Sequence, residues 1–487
     1  MTPIDTIVEA LRKADQLLGE PPAAIEISGI TDDSRRASRG VLFCAVEGTV
    51  EDGHRYVKDA KTRGAAAAIV TRRLDVPIPQ VLVRDSRHAA SIAAASWYGH
   101  PGASLDVIGV TGTNGKTTTV ALLRHLMNVQ GSAGSIGTLG AIDGAGEMLS
   151  GYGDLTTPGS IEVHAVLAEL RARGVRSVAI EASSHALDQN RLALIALRGA
   201  VFTNLTHDHL DYHGSMDRYR AAKGRLSDLL ASGAIEVVNE DDPAWQVLGP
   251  RDGVRRIGFG RRAGGEVQAR DVRLEATGSS AVFSFAGEDC PVRVPLLGDF
   301  NVENALAAAA AAWGLGGEPT TIAERLATMP PVTGRLEPLH SGAFQVHRDY
   351  CHTPDALERA IAVLRPLTAG RLIVLFGAGG DRDRSKRASM GRVVEQGADL
   401  AIVTSDNPRT EDPERIVDEI AAGMSGRRQV RIVDRLVAIE YAVGILEAGD
   451  CLLLAGKGHE DYQVVGTERY PFDERTIVRS LMREPEE

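Results

Sequence analysis

The sequence predicts an α/β protein of three domains, with a P-loop-type ATPase domain in the middle and a Rossmann-like, doubly wound parallel sheet at the end. Three observations carry that expectation. The stretch IGVTGTNGKTTT at 108–119 lies between an apolar run and the helical pattern VALLRHLM, so it reads as strand, glycine loop and helix. In the last third, the apolar runs RLIVLF, LAIVTS, VRIV and CLLLA alternate with helical segments, as a doubly wound sheet requires. The chain of 487 residues corresponds to about three ordinary domains, and the Pro/Gly-rich breaks HPGASL and TMPPVTG divide it into 1–103, 104–333 and 334–487.

In chain order, the opening MTPIDTIVEALRKADQLLGE has the pattern of a polar amphipathic helix, and GVLFCAVEG, AAAAIVT and PQVLVR read as short strands between helical stretches. In the middle segment SVAIEASS and GAVFTNLT read as buried strands. IEVHAVLAELRARG reads as a helix closed by a glycine cap. A β-rich stretch, RDVRLEATGSSAVFSFAGEDCPVRVPLLG, and an alanine-rich helix, NVENALAAAAAAWGLG, complete it.

Composition excludes several classes. A formal net charge of -11 argues against a dedicated nucleic-acid binder. Cys44, Cys290, Cys351 and Cys451 are far apart, show no zinc spacing and fit a reducing cytoplasm. No apolar run approaches membrane-spanning length, so a soluble cytoplasmic protein without membrane insertion is expected.

The loop carries the first chemistry. Gly112 and Gly115 let backbone amides turn toward an anion at a helix N-terminus, Lys116 supplies a point charge, and Thr117 places a hydroxyl where a nucleotide-bound Mg²⁺ would sit. Val110 occupies the position of the usual first glycine, so the match is to a shorter GxxGKT form. Glu181 ends the next apolar strand, where such an enzyme needs a carboxylate beside the metal. NLTHDHLDYHG at 204–214 packs three histidines and two aspartates together. Its spacing fits no structural zinc pattern, and its composition leaves the metal open. At the carboxyl ends of the last strands lie GAGGDRD, DNPR and GKGHED, which should share one crevice.

Read together and in order, GTNGKTT, EASSHALDQNR, NLTHDHLDYHG, YRAAKGRL, GDFNVENALAA, GRLE, DYCHTPDAL, GDRDRSKR, DNPR and GKGHED resemble the Mur ligase family, and DDSRRASRGVLFCAVEG is similar to its UDP-binding domain. The resemblance spans nearly the whole chain. It implies a UDP-muramoyl-binding domain, an ATP-binding domain and an amino-acid-binding domain within the three bounds above. The implied activity is amide ligation in peptidoglycan synthesis: ATP phosphorylates the D-glutamate carboxylate of UDP-N-acetylmuramoyl-L-alanyl-D-glutamate, and an amine attacks the acyl phosphate.

Site residues follow from the same resemblance. Gly112, Thr113, Asn114, Gly115, Lys116, Thr117 and Thr118 would hold the ATP phosphates, and Thr117 with Glu181 one Mg²⁺. A second Mg²⁺ would take His209 and Lys223, the latter carbamylated to N-carboxylysine, which converts a repelling cation into an oxygen ligand. From the residue alone, a plain Lys223 salt bridge is the preferred reading. Asn301 and Asn304 resemble the adenine-side asparagines, and Arg335 and Asp349 the residues that reach the nucleotide from the third domain. Ser34, Thr156, Thr157, Ser183, Gln189 and Arg191 match UDP-muramoyl contacts.

Arg409 in DNPR offers a planar fork for a distal carboxylate, which favours diaminopimelate over lysine as the incoming amine, and the family resemblance implies the meso isomer. Within the family DNPR goes with diaminopimelate-adding members. Arg382, Asp406, Asn407, Pro408, Gly456 and Glu460 match the remaining amino-acid contacts, Glu460 being placed to pair with the distal ammonium. DNPR also reads simply as a strand-to-helix turn, since Asp412 and Pro413 can cap and start the next helix. The alternatives are LL-diaminopimelate or L-lysine as substrate, a relative that adds D-alanyl-D-alanine or glutamate, and a catalytically silent scaffold. A monomer with transient contacts to other cell-wall enzymes is expected. His207 and Cys351 depart from the family pattern, and Cys351 suggests sensitivity to thiol reagents.

Overall fold

The computed structural model describes residues 2–482 apart from 23–24, 49–50, 153–154, 263 and 427. They form two compact units: Met1–Arg270 with Val282–Val292 and Glu303–Leu326, and Asp271–Ala281 with Arg293–Val302 and Ala327–Glu487.

The first unit contains a four-stranded parallel sheet in the order Gly29–Thr31, Val41–Cys44, Ala67–Val70 and Gln80–Leu82. Val41–Cys44 and Ala67–Val70 are buried along their full length, which is why they read as unbroken apolar runs rather than alternating ones. Ile7, Val8 and Leu11 of helix Asp5–Lys13 and Ala89, Ile92 and Ala93 of helix Ser86–Trp97 complete that core, joined by Ile161. The first helix is shorter than its apolar pattern suggests. Asp15 turns left-handed at φ 52°, a conformation that ends a helix.

The second sheet has ten strands, in the order Glu288–Val294, Gly278–Phe285, Val267–Glu275, Arg255–Gly260, Leu230–Asn239, Leu197–Phe202, Asp106–Thr111, Ser177–Glu181, Ala133–Gly137 and Gly140–Ile142. Its register decides the chemistry. Asp106–Thr111, the strand that enters the glycine loop, pairs in parallel with Ser177–Glu181 on one side, Glu181 opposite Val110, and with Leu197–Phe202 on the other. The loop, Glu181 and the segment after Phe202 therefore leave the sheet along one edge.

Glu181 ends the apolar strand Ser177–Glu181, but that strand is not the next one along the chain. The hairpin Ala133–Gly137 and Gly140–Ile142 intervenes in sequence, and its glycine-rich strands carry too weak an apolar signal to be read. Ala305, Leu306 and Ala307–Ala311 of helix Asp299–Gly314 are fully buried, so this helix shows no polar stripe.

The second unit is a six-stranded sheet ordered Glu337–Ser341, Gln345–Asp349, Cys451–Ala455, Leu372–Phe376, Leu400–Val403 and Gln429–Arg431, parallel except for its first pair. Both faces are covered. Leu357, Ile361, Met390, Val394, Ile416 and Ile420 pack on one side, and Ile439, Ala442 and Val478 on the other. Leu453 is fully buried, and its truncation to alanine is the kind of change that costs about 2–5 kcal/mol. Between Cys451–Ala455 and Leu372–Phe376 the strand order reverses, which opens a crevice at the carboxyl ends.

Candidate active site

The glycine loop is shaped by what stands next to it. Gly112 has φ 149°, and a Cβ there would run into the Thr203 hydroxyl. Thr113 N donates to Asn204 O at 2.7 Å and Asn114 N to Asn204 Oδ1 at 2.9 Å, so the segment after Leu197–Phe202 holds the loop from behind. Gly115 is left-handed at φ 86° and starts helix Lys116–Met127, whose first-turn N–H groups have no carbonyl of their own helix to bind. The Lys116 ammonium folds back onto Gly112 O at 3.0 Å and Thr113 O at 2.9 Å, within reach of any anion seated on the loop. A side chain at Gly115 would collide with Asn304 Oδ1 as well as force the strained φ. Gly115→Ala is therefore expected to weaken nucleotide binding by about tenfold or more, a loss of about 1.4 kcal/mol, and to lower the thermal transition as well, because the strained φ and the clash cost stability; titration calorimetry with ATP below that transition checks it.

Glu181 is 1% exposed, and three donors converge on its carboxylate. Thr117 Oγ1 lies 3.1 Å from Oε2, Thr138 N 2.8 Å from Oε1 and Thr138 Oγ1 3.3 Å from Oε2. Gly137 permits this approach, since a Cβ there would meet the Glu181 side chain. Hydroxyl and carboxylate oxygens beside a phosphate loop form the donor set that a hard cation such as Mg²⁺ takes.

Lys223, from helix Met216–Gly224, is 1% exposed and donates to Gly112 O at 2.7 Å, with its amine 4.5 Å from the centre of the Tyr219 ring. Among the described residues no carboxylate forms an ion pair with it, contrary to the salt bridge that its sequence alone suggests. Burial pushes its amine well below the ordinary lysine range, helped by the nearby Lys116 charge and opposed by Asp208. His209 is left-handed at φ 51°, stands edge-on 4.9 Å from His185, and has its imidazole pushed down by burial against the opposing pull of Asp208. His213 meets Ser184 Oγ at 3.0 Å.

Among the described residues, 204–214 brings no three such ligand atoms together; Glu47, Asp52 and His54 do. That trio is internally satisfied. His54 Nδ1 lies 2.7 Å from Asp52 Oδ1, Thr71 N donates to His54 Nε2 at 2.9 Å, and Arg72 pairs with both acids.

Five of the six muramoyl candidates gather behind Glu181. Thr157 Oγ1 donates to Glu181 O at 2.7 Å and accepts from Ser183 N at 3.1 Å; Ser183 in turn caps helix Ser184–Asp188. Arg191 donates to Thr157 O at 2.8 Å and to Gln189 Oε1 at 2.8 Å, and Thr156 lies 3.3 Å from the Thr138 hydroxyl. Ser34 stands instead in the turn Ser34–Arg36 that follows Gly29–Thr31 of the four-stranded sheet. Asn304 is 5% exposed beside the glycine loop, 3.5 Å from Thr119 Oγ1, whereas Asn301, one turn earlier, donates to Leu297 O at 2.7 Å within the second unit.

In the second unit the three strand-end clusters do share one crevice. Gly379 is flanked by both Arg382 and Arg409: a Cβ there would sit 3.6 Å from Arg382 Cγ and 2.9 Å from Arg409 Nη1. Arg409 holds a left-handed φ of 51°, and its Nη1 donates to Gly380 O at 2.9 Å. Strain of this kind in a non-glycine residue survives only where the surroundings enforce it. Pro408 stands next to it, with its carbonyl against Gly380. Asn407 Nδ2 donates to Glu460 Oε2 at 2.7 Å, and a Cβ at Gly456 would sit 3.6 Å from the Asp406 carboxylate carbon.

At the centre lies a residue that the sequence reading did not single out. Lys457 is fully buried, donates to Asn407 Oδ1 at 2.9 Å and to Tyr462 O at 2.7 Å, and stands 3.6 Å from Asp406 and 3.5 Å from Glu460. Its only signal was its place inside GKGHED. Burial pushes the Lys457 ammonium down and the Glu460 carboxyl up, and each charge opposes the other's shift.

Asp349 accepts from Leu336 N at 2.7 Å and Cys351 N at 2.8 Å, and the Arg335 guanidinium lies 5.2 Å from the centre of the Tyr350 ring. Cys351 is 3% exposed, and burial pushes its thiol well up. The expected sensitivity to thiol reagents is thereby corrected, since reaction needs an accessible thiolate. Asp412 caps helix Pro413–Ala421 through Glu414 N, so DNPR is both a crevice wall and a strand-to-helix turn.

Three family profiles match in tandem: "Mur ligase family, catalytic domain" over residues 26–98, "Mur ligase middle domain" over 110–312, and "Mur ligase, glutamate ligase domain" over 334–458. A protein of Geobacillus kaustophilus is 42% identical over 468 residues, 94% of this chain and 95% of that one. One of Agrobacterium fabrum is 42% identical over 491 residues, 98% of this chain and 97% of that one. Both are named UDP-N-acetylmuramoyl-L-alanyl-D-glutamate--2,6-diaminopimelate ligase. A solved structure with the same name is 31% identical, with a TM-score of 0.66 over 94% of each chain. Shared architecture, ordered motifs and identity at this level lead to one conclusion: the chain belongs to the Mur ligase family.

Proposed function

We propose that this protein is the cytoplasmic, ATP-dependent ligase that joins meso-2,6-diaminopimelate to the D-glutamate carboxylate of UDP-N-acetylmuramoyl-L-alanyl-D-glutamate, with release of ADP and phosphate. The observation that carries the reading is the crevice where Arg382 and Arg409 flank Gly379 and the Asp406, Asn407, Lys457 and Glu460 network lies alongside. Two guanidinium groups suit a distal carboxylate, and an ammonium end, as in lysine, would leave them unpaired. Residues 1–103 would take the muramoyl nucleotide, 104–333 ATP, and 334–487 the amino acid.

Within this reading, the glycine loop and Lys116 hold the phosphates of ATP, and the substrate carboxylate attacks the γ-phosphorus; the bond to the β-phosphate oxygen breaks, ADP leaves and an acyl phosphate forms. The amine nitrogen then attacks the acyl carbon, a C–N bond replaces the C–O bond, phosphate departs and the amine proton leaves. Thr117, Glu181, His209 and Lys223 would hold Mg²⁺, which neutralises phosphate charge when bound. Burial lowers the affinity of the Lys223 amine for a proton, which favours the neutral form that adds to carbon dioxide and so supports carbamylation. Arg191 would face an anionic group of the muramoyl nucleotide, and Asn301, Asn304, Arg335 and Asp349 the nucleoside of ATP.

Phosphate release with ATP, Mg²⁺ and the muramoyl dipeptide tests the proposal, run in parallel with meso-diaminopimelate, LL-diaminopimelate, L-lysine and D-alanyl-D-alanine. Release that depends on meso-diaminopimelate is expected. Dependence on lysine would overturn the role of Arg409, and silence with every amine would overturn the enzyme reading.

A further inference from the structure

Behind the two arginines of the crevice lies a third, which reaches it only through the backbone of Gly379. Arg387, the first residue of helix Arg387–Gly397, is fully buried although charged. Its Nη2 donates to Glu411 Oε1 at 2.8 Å and its Nη1 to Glu411 Oε2 at 3.0 Å, a bidentate pair. Nη1 also donates to Glu419 Oε2 at 2.7 Å, and Nη2 to Gly379 O at 3.2 Å. Glu411 in turn accepts from Asp381 N at 2.6 Å. One guanidinium thus ties the 377–383 loop to the segment after DNPR and to helix Pro413–Ala421, which contributes Glu419.

The tied loops are also locked to each other. Gly380 N donates to Asn407 O at 2.8 Å, Thr410 Oγ1 to Asp381 Oδ1 at 2.8 Å, and Arg409 Nη1 to Gly380 O at 2.9 Å. Both Asp381 and Arg409 are held left-handed, at φ 52° and 51°. Such a conformation is strained in a non-glycine residue and relaxes when its surroundings loosen. A fork aimed at a carboxylate loses its selectivity if it is misplaced by about 1 Å.

We propose that Arg387 is a positioning residue for amino-acid selection, a buried brace that keeps Arg409 and Arg382 in the geometry that receives the distal carboxylate of the incoming amine. It rests on the function proposed above, and it assigns specificity to a residue outside the crevice wall. Glu411 and Glu419 are the other members of the brace, and Arg384 also pairs with Glu419.

Two readouts test it. In steady-state kinetics, Arg387→Met is expected to raise the KM for meso-diaminopimelate about tenfold or more, with kcat and the KM values for ATP and the muramoyl dipeptide within about twofold. Unchanged KM for the amine, or a parallel decline in all parameters, would overturn the proposal. Should Arg387→Met not fold, Glu411→Gln carries the same criteria. If the wild-type enzyme uses a different amine, the substrate reading fails and the KM of that amine tests the brace. Amide hydrogen exchange needs no turnover: in the variant, exchange of 377–383 and 406–411 is expected to rise about tenfold while the buried strands stay protected. Unaltered exchange in those loops would sink the brace whatever the substrate is.

Discussion

Lys223→Ala is expected to reduce turnover by about a thousandfold, the scale reached when a preorganised charge partner of a phosphoryl group is removed. The buried amine donates to Gly112 O at 2.7 Å, and burial pushes its pKa down, which favours the form that can take up carbon dioxide as a carbamate. Alanine removes the group that would supply the anionic oxygen and leaves a cavity with an unmet carbonyl. Formate or acetate should occupy that space and restore part of the rate, and the wild type should lose activity when carbon dioxide and bicarbonate are stripped. Initial rates with and without the small acids decide the matter, with a thermal melt to show that the variant is folded. A variant that works at the wild-type rate without additive would mean that Lys223 acts only as a packing group.

Arg409→Ala is expected to cut kcat/KM for meso-diaminopimelate by about a hundredfold to a thousandfold and to leave the KM for ATP unchanged. Removing one partner of a desolvated charge pair costs about 2–5 kcal/mol, and about 1.4 kcal/mol is tenfold. Arg382 remains beside Gly379 to give residual attraction. Arg409→Lys keeps the charge but not the fork, so it should recover only part of the loss. Because lysine lacks the distal carboxylate, its kcat/KM should hardly move in Arg409→Ala, and selectivity between the two amines should collapse. A uniform fall for both would assign Arg409 to the stability of the 406–411 turn instead.

The strand, loop and helix at 106–127, the buried strand that ends at Glu181, and the alternation of the last domain were all legible in the sequence, because each depends on residues within a few positions of one another. The ordered motifs likewise carried the family. Tertiary structure alone decided the rest. The hairpin 133–142 separates the loop from Glu181 along the chain, yet sheet order makes their strands neighbours. Lys223 reads from the residue alone as a salt-bridge lysine until helix Met216–Gly224 is seen to bury it against Gly112 O. Lys457 meets Asn407 across 50 positions, and Arg387 meets Glu411 across 24. Local pattern specifies which elements form. Which strand ends become neighbours, and hence which charges are buried together, is settled by long-range pairing that no short window of residues encodes.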